Sequence, residues 1–223
     1  LATAWLLHRF ARPRVGRRTA LLAGVVYSTS PEVVALGRWC NFDATLSLCV
    51  TWATVAWLSW LDDRRGAPWS AWLAMGLGVL VKGPVALVLP LAVAVLSALR
   101  RGTLSDAARD ARPGRGLLLV LVLVLPWLGP AWLADPQYVR TFLVRHNVER
   151  YLSSEFVHAR GPFYFLPAIA AGFFPWSLLL PSAALSAPWR GRAADAAIWA
   201  GVVIVFFSLG QAKLATYVLP AFP

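Results

Sequence analysis

Charge is what this chain lacks most. Asp, Glu, Lys and Arg make up only 14% of its 223 residues, while 59% are hydrophobic. Soluble domains carry about 25% charged residues, so an ordinary water-soluble globule is excluded. The mean hydropathy of +0.63 points the same way. Cysteine is scarce too, with Cys49 inside an apolar run and Cys40 at its mouth, an arrangement that rules out a disulfide between them. No CxxC pair, Gly-rich phosphate loop or nucleophile elbow is present, so soluble nucleotide chemistry has no support. No internal repeat is visible, which counts against an inverted-repeat transporter. A charged leader followed by a cleavage site is also missing, so no signal peptide is expected. Leu1 to Leu7 reads as the tail of a span under way and Pro223 follows directly on another, so the chain reads as an internal piece of a longer protein.

What is present is a strict sorting of positive charge. The net charge is +11, a value that in another setting would suggest nucleic acid. Fourteen of the 21 Lys and Arg residues, however, lie in four short stretches between apolar runs: Arg9 to Arg18, Arg64 to Arg65, Arg100 to Arg115 and Arg190 to Arg192. By the positive-inside rule these stretches are cytoplasmic loops, and no nucleic-acid partner is expected. Trp5, Trp39, Trp60, Trp69, Trp127 and Trp189 near the span ends suit an aromatic belt.

The fold class is therefore all-α, a polytopic helical membrane protein, because only helices or closed barrels satisfy the backbone in lipid. Spans are expected at about 1–8, 19–37, 44–61, 69–81, 85–99, 117–133, 162–187 and 196–210, in one transmembrane domain. The stretch from Trp69 to Leu99 is long for one crossing and short for two. One crossing would put the five-Arg stretch from Arg100 to Arg115 on the wrong side, so a hairpin turning at Gly83-Pro84 is predicted. Its arms of about 20–22 Å are shorter than the roughly 30 Å hydrocarbon core, so the turn is recessed. Residues 134–161 form the long outer region, where Tyr138, Phe142, Val148 and Tyr151 among charges suit an amphipathic surface helix.

Seven positive residues remain on the opposite, extracytoplasmic side, among them Lys82, Arg150 and Lys213. An ammonium in a membrane helix costs about 2.5–3.5 kcal/mol at mid-depth, so Lys82 beside the recessed turn is a functional candidate for holding a phosphate. Snorkelling to the interface is its ordinary alternative. Asp43 opens the span after Asn41 and Phe42; either Asp43 or Asn41 could be a plain helix N-cap, or Asp43 could orient a sugar or a metal. In a helix, His146 and Arg150 share a face, one suited to a divalent metal and the other to phosphate. Lys213 and Tyr217 are spaced i, i+4 at the end of the last span, as anchors or as cavity lining.

Four ordered stretches resemble the GT-C superfold of membrane glycosyltransferases, in its bacterial branch of aminoarabinose transferases and relatives of the dolichyl-phosphate-mannose protein mannosyltransferases. They are Gly37-Arg38 to Asp43-Ala44-Thr45-Leu46; Gly76 to Lys82-Gly83-Pro84-Val85; Arg145-His146-Asn147 to Arg150-Tyr151-Leu152 with Gly161 to Ser177; and Lys213-Leu214-Ala215-Thr216-Tyr217 to Pro220. The resemblance implies transfer of a sugar from a polyprenyl-phosphate-linked donor to a lipid A, glycan or protein acceptor at the extracytoplasmic face of the cell (inner) membrane. It implies donor-phosphate binding by Lys82 and Arg150, cavity lining by Lys213 and Tyr217, and a second acidic residue at Asp43. A divalent metal ion of open identity is allowed, with His146 at a family metal-ligand position. The family's catalytic carboxylate lies in an outer loop upstream of the position of Leu1, so residues 1–223 alone are expected to be inactive. A transporter or flippase for an anionic lipid or solute is the alternative reading of the same buried lysine.

Overall fold

In a computed structural model the structure describes residues 1–39, 41–143, 145, 151, 161–186 and 191–223. Among them no strand is formed, as expected where each segment has to satisfy its own backbone. Helix α1 (Ala2–Val15) packs against α2 (Arg17–Thr29), and the two are joined at Gly16, whose φ of 84° favours glycine. The stretch from Arg9 to Arg18 is therefore not a loop. Arginine is a good helix former, and only Gly16 interrupts the run.

The segment expected as one span from 19 to 37 is broken. Helix α3 (Pro31–Arg38) leaves α2 at 60°. Pro31 has no N–H to continue α2 but suits the first turn of a new helix, and the Ser30 hydroxyl donates back to the Val26 carbonyl at 2.8 Å. Helix α4 (Phe42–Asp63) follows, closed by Arg64 in the left-handed region at φ 52°. Then come α5 (Trp69–Lys82) and α6 (Val85–Arg100). The chain folds back between them: a Cβ on Gly78 would stand 2.6 Å from Ala86 Cβ and 3.1 Å from Cys49 Cβ. Such close backbone approach is how membrane helices gain packing where lipid offers no hydrophobic drive.

The basic stretch after α6 holds a short helix, α7 (Leu104–Asp110), before α8 (Pro113–Ala134). Helix α9 (Pro136–Arg140) begins the stretch 134–161, most of which lies outside the described residues. Helices α10 (Phe165–Gly172) and α11 (Leu180–Ser186) are separated by a turn of 112°, so 162–187 is not a straight crossing. Helix α12 (Gly191–Leu209) leads to a 3₁₀ segment, Ala215–Ala221. By length and composition α4, α8 and α12 can each cross a membrane, and the two bent pairs can add two more crossings.

Helix α4 lies at the centre, packed by α1, α5, α6 and the 3₁₀ segment. Its Trp57 meets Trp60 and Trp72 edge-on, with ring centroids 5.6 Å apart in both pairs. Trp60 is buried and donates from its indole to the Gly66 carbonyl at 2.9 Å, so it belongs to the core and not to an aromatic belt. Both ends of α4 are thereby tied to other helices, which positions what they carry.

Candidate functional site

At the N-terminus of α4 the side chain of Asn41 accepts from the Asp43 N–H at 2.8 Å. Asn41 is thus the cap, which decides between the two alternatives for Asp43. With the cap supplied elsewhere, the buried Asp43 carboxylate is left to face a cation. That cation is Lys82, the last residue of α5, which is held there by Gly83 at φ 86°. Lys82 Nζ donates to Asp43 Oδ1, with the lysine side chain 32% exposed and the aspartate 9%. The lysine is therefore half of a partly buried pair.

Tyr217 covers the same ammonium. Lys82 Nζ stands 4.7 Å from its ring centroid, within cation–π range. The expected helical i, i+4 face of Lys213 and Tyr217 is corrected by the structure. Helix α12 stops at Leu209, Lys213 lies in the irregular link after it, and Tyr217 lies in the 3₁₀ segment. Lys213 is nonetheless buried, and its ammonium donates to the Gly210 carbonyl at 2.5 Å. The break in the chain is what lets Tyr217 turn back towards α4.

His146 and Arg150 lie outside the described residues. Tyr151, the next residue after Arg150 in the chain, is described, and it is tied to the end of α12. Its hydroxyl donates to the Phe206 carbonyl at 2.8 Å, its own carbonyl accepts from Gln211 N–H at 2.9 Å, and its ring fills the space beside Gly210. Among the described residues no three His, Cys, Asp or Glu side chains gather as metal ligands, so the described donor set does not fit a metal.

One residue of this region escaped the sequence reading. Glu32, in the first turn of α3, has its Oε1 enclosed with no hydrogen-bond partner among the described residues, and its carboxylate is repelled by that of Asp43. The signal was there: an acid inside an apolar segment, directly after Ser30-Pro31.

At the opposite end of α4, about 30 Å away for 22 residues at 1.5 Å each, lies a different arrangement. Arg14 and Arg101 bind the two oxygens of Asp62 at 2.7 and 2.9 Å, and Arg100 and Arg101 bind those of Asp195 at 2.7 and 2.6 Å. Burial opposes the charge on Arg101, but hydrogen bonds to Asp195 and Asp62 outweigh it and raise its pKa. This lattice ties α1, α4, the end of α6 and α12 together.

A family described as dolichyl-phosphate-mannose-protein mannosyltransferase matches residues 1–129. An undecaprenyl phosphate-alpha-4-amino-4-deoxy-L-arabinose arabinosyl transferase of Sodalis glossinidius is 34% identical over 92% of this chain and 38% of its own length. The like-named transferase 1 of Pseudomonas fluorescens is 30% identical over 98% of this chain and 40% of its own. The crystal structure of ArnT from Cupriavidus metallidurans bound to undecaprenyl phosphate superposes with a TM-score of 0.87 at 27% identity, covering 99% of this chain and 42% of that one. The chain thus spans about 40% of the length of these relatives.

Proposed function

The chain belongs to the dolichyl-phosphate-mannose-protein mannosyltransferase family of membrane glycosyltransferases, and on that premise we propose that it forms the donor-phosphate side of such an enzyme. The full-length protein moves a sugar from a polyprenyl-phosphate carrier to an acceptor on the extracytoplasmic side of the cell (inner) membrane. The donor we favour is an undecaprenyl-phosphate-linked 4-amino-4-deoxy pentose, because relatives named for that chemistry align with more than nine-tenths of the chain. The acceptor that goes with it is a lipid of the lipid A type.

The observation that carries the reading is the meeting of Lys82, Asp43 and Tyr217 at one end of the bundle. In the reaction the bond between the anomeric carbon and a phosphate oxygen breaks, and its electron pair stays on the phosphate. A cation fixed beside that oxygen stabilises the charge that develops there. Lys82 supplies it, with Arg150 as the second phosphate-binding residue. At rest Asp43 holds the ammonium in place, and Tyr217 shields it. An arriving lipid phosphate shares or takes over the ammonium, leaving Asp43 facing the sugar. The acceptor hydroxyl loses its proton to a carboxylate, which by resemblance lies upstream of Leu1. Lys213, buried behind the 3₁₀ segment, adds positive potential and lines the cavity with Tyr217.

A divalent ion stays in the proposal through His146 alone, and no step is assigned to it. His146→Ala should lower bound metal in the purified full-length protein, measured by elemental analysis; an unchanged content removes that role.

The main test is Lys82→Ala in the full-length protein. Loss of one preorganised charge of this kind costs about 10²–10³-fold in rate. Transfer from the polyprenyl-phosphate donor should fall by that factor while membrane insertion is unchanged. Normal transfer would remove the phosphate role.

A further inference from the structure

Glu32 is a carboxylate that the steps above do not use. Helix α3 packs against α4, against α10 and against the 3₁₀ segment that carries Tyr217, so it borders the Lys82 site. The Glu32 carboxylate lies against Gly172 of α10: a Cβ on that glycine would stand 2.3 Å from Oε2 and 3.1 Å from Glu32 Cβ. Glycine is therefore needed at 172 for the carboxylate to take this position. The flanking chain is tied as well, where Trp176, beyond the end of α10, donates from its indole to the hydroxyl of Thr29 at the end of α2 at 2.9 Å.

The region thus holds two carboxylates with different partners. Asp43 faces Lys82, whereas Glu32 has an enclosed oxygen with no hydrogen bond and no ion pair among the described residues. An enclosed carboxylate left in that state is unfavourable, and either a proton or a bound cation relieves it. It repels phosphate, so it cannot belong to the carrier end of the donor. A positive group elsewhere on the donor suits it.

We propose that Glu32 is the counter-ion for an ammonium on the transferred sugar, and so the residue that selects an amino sugar over its neutral counterpart. This rests on the glycosyltransferase reading above. A sugar hydroxyl would be satisfied equally by an amide at position 32. An ammonium needs the charge, and that difference makes the proposal testable.

The experiment uses the full-length protein with two undecaprenyl-phosphate donors, one carrying the free amino sugar and one the same sugar N-acetylated. The quantity read is the ratio of their kcat/KM values. Glu32→Gln should reduce the preference for the amine by roughly 10–100-fold, the weight of a hydrogen bond to a charged group, and chiefly through KM. Gly172→Ala, which displaces the carboxylate without removing it, should reduce the same ratio in the same direction. The Gln variant should melt no lower than the unaltered protein, since it removes an unpaired charge. An unchanged ratio in both variants, whatever their total activity, overturns the role of Glu32. Failure of the unaltered protein to transfer either sugar overturns the glycosyltransferase reading itself.

Discussion

The two ends of α4 hold similar numbers of charged side chains and use them in opposite ways. At the Asp62 end every cation in the lattice is an arginine, and each carboxylate is bound through both oxygens. At the Asp43 end the cation paired with the carboxylate is a lysine, Lys82, and the other lysine, Lys213, is buried in the link to the segment that carries Tyr217. Guanidinium is a planar fork that suits a fixed, doubly bonded carboxylate, whereas ammonium is a compact charge on a flexible stem that can change partners. The first end holds helices together. In the proposed reaction the second gives up one anion for another, and its Glu32 Oε1 has no hydrogen-bond partner among the described residues.

That contrast can be broken by substitution. Asp195→Ala should have the largest effect on folding. The aspartate is buried and holds Arg100 and Arg101, and the loss should be about 1–3 kcal/mol, below the figure for fully buried pairs because both arginines are partly exposed. Thermal unfolding in detergent would measure it; transfer by the surviving folded protein should stay close to normal. A variant that melts normally but transfers poorly would reverse the roles assigned to the two ends.

Lys82→Arg comes next. Charge is kept, but a fork replaces a point charge beside Tyr217, and transfer should fall by about tenfold, or 1.4 kcal/mol. Melting should be unaltered. Full activity would mean that any cation serves there. Arg101→Lys is the smallest change. It should cost about 0.5–1 kcal/mol of stability by losing one of two simultaneous carboxylate contacts, with no change in transfer. A large loss of activity would show that the lattice does more than brace.

Much of the Asp43 end was legible in the sequence because charge inside an apolar run is expensive, and evolution leaves it only where something uses it. That argument singled out Lys82 without any structure, the start of a span pointed to Asp43, and Gly83-Pro84 marked the turn after the lysine. It did not find Glu32, because an apolar segment of span length hid the break at Ser30-Pro31. Nor did it divide Asn41 from Asp43, since both side chains can cap and only the backbone geometry decides. The helical spacing of Lys213 and Tyr217 failed for a related reason: the end of α12 at Gly210 is set by contacts with Tyr151 and by the Lys213 ammonium on the Gly210 carbonyl, not by local preference. At the other end, the count of arginines was informative about orientation, but which arginine meets which aspartate joins residues 94 and 95 positions apart, beyond any local pattern.

The central claim is that Lys82 faces the extracytoplasmic water at the end of the bundle where a polyprenyl phosphate binds. Cysteine labelling tests it most directly, in full-length protein with Cys40 and Cys49 replaced, using a membrane-impermeant maleimide on sealed vesicles of known orientation. Lys82→Cys should react from the extracytoplasmic side, while Arg101→Cys should react only after permeabilisation. Labelling of positions 82 and 101 from the same side would contradict the account.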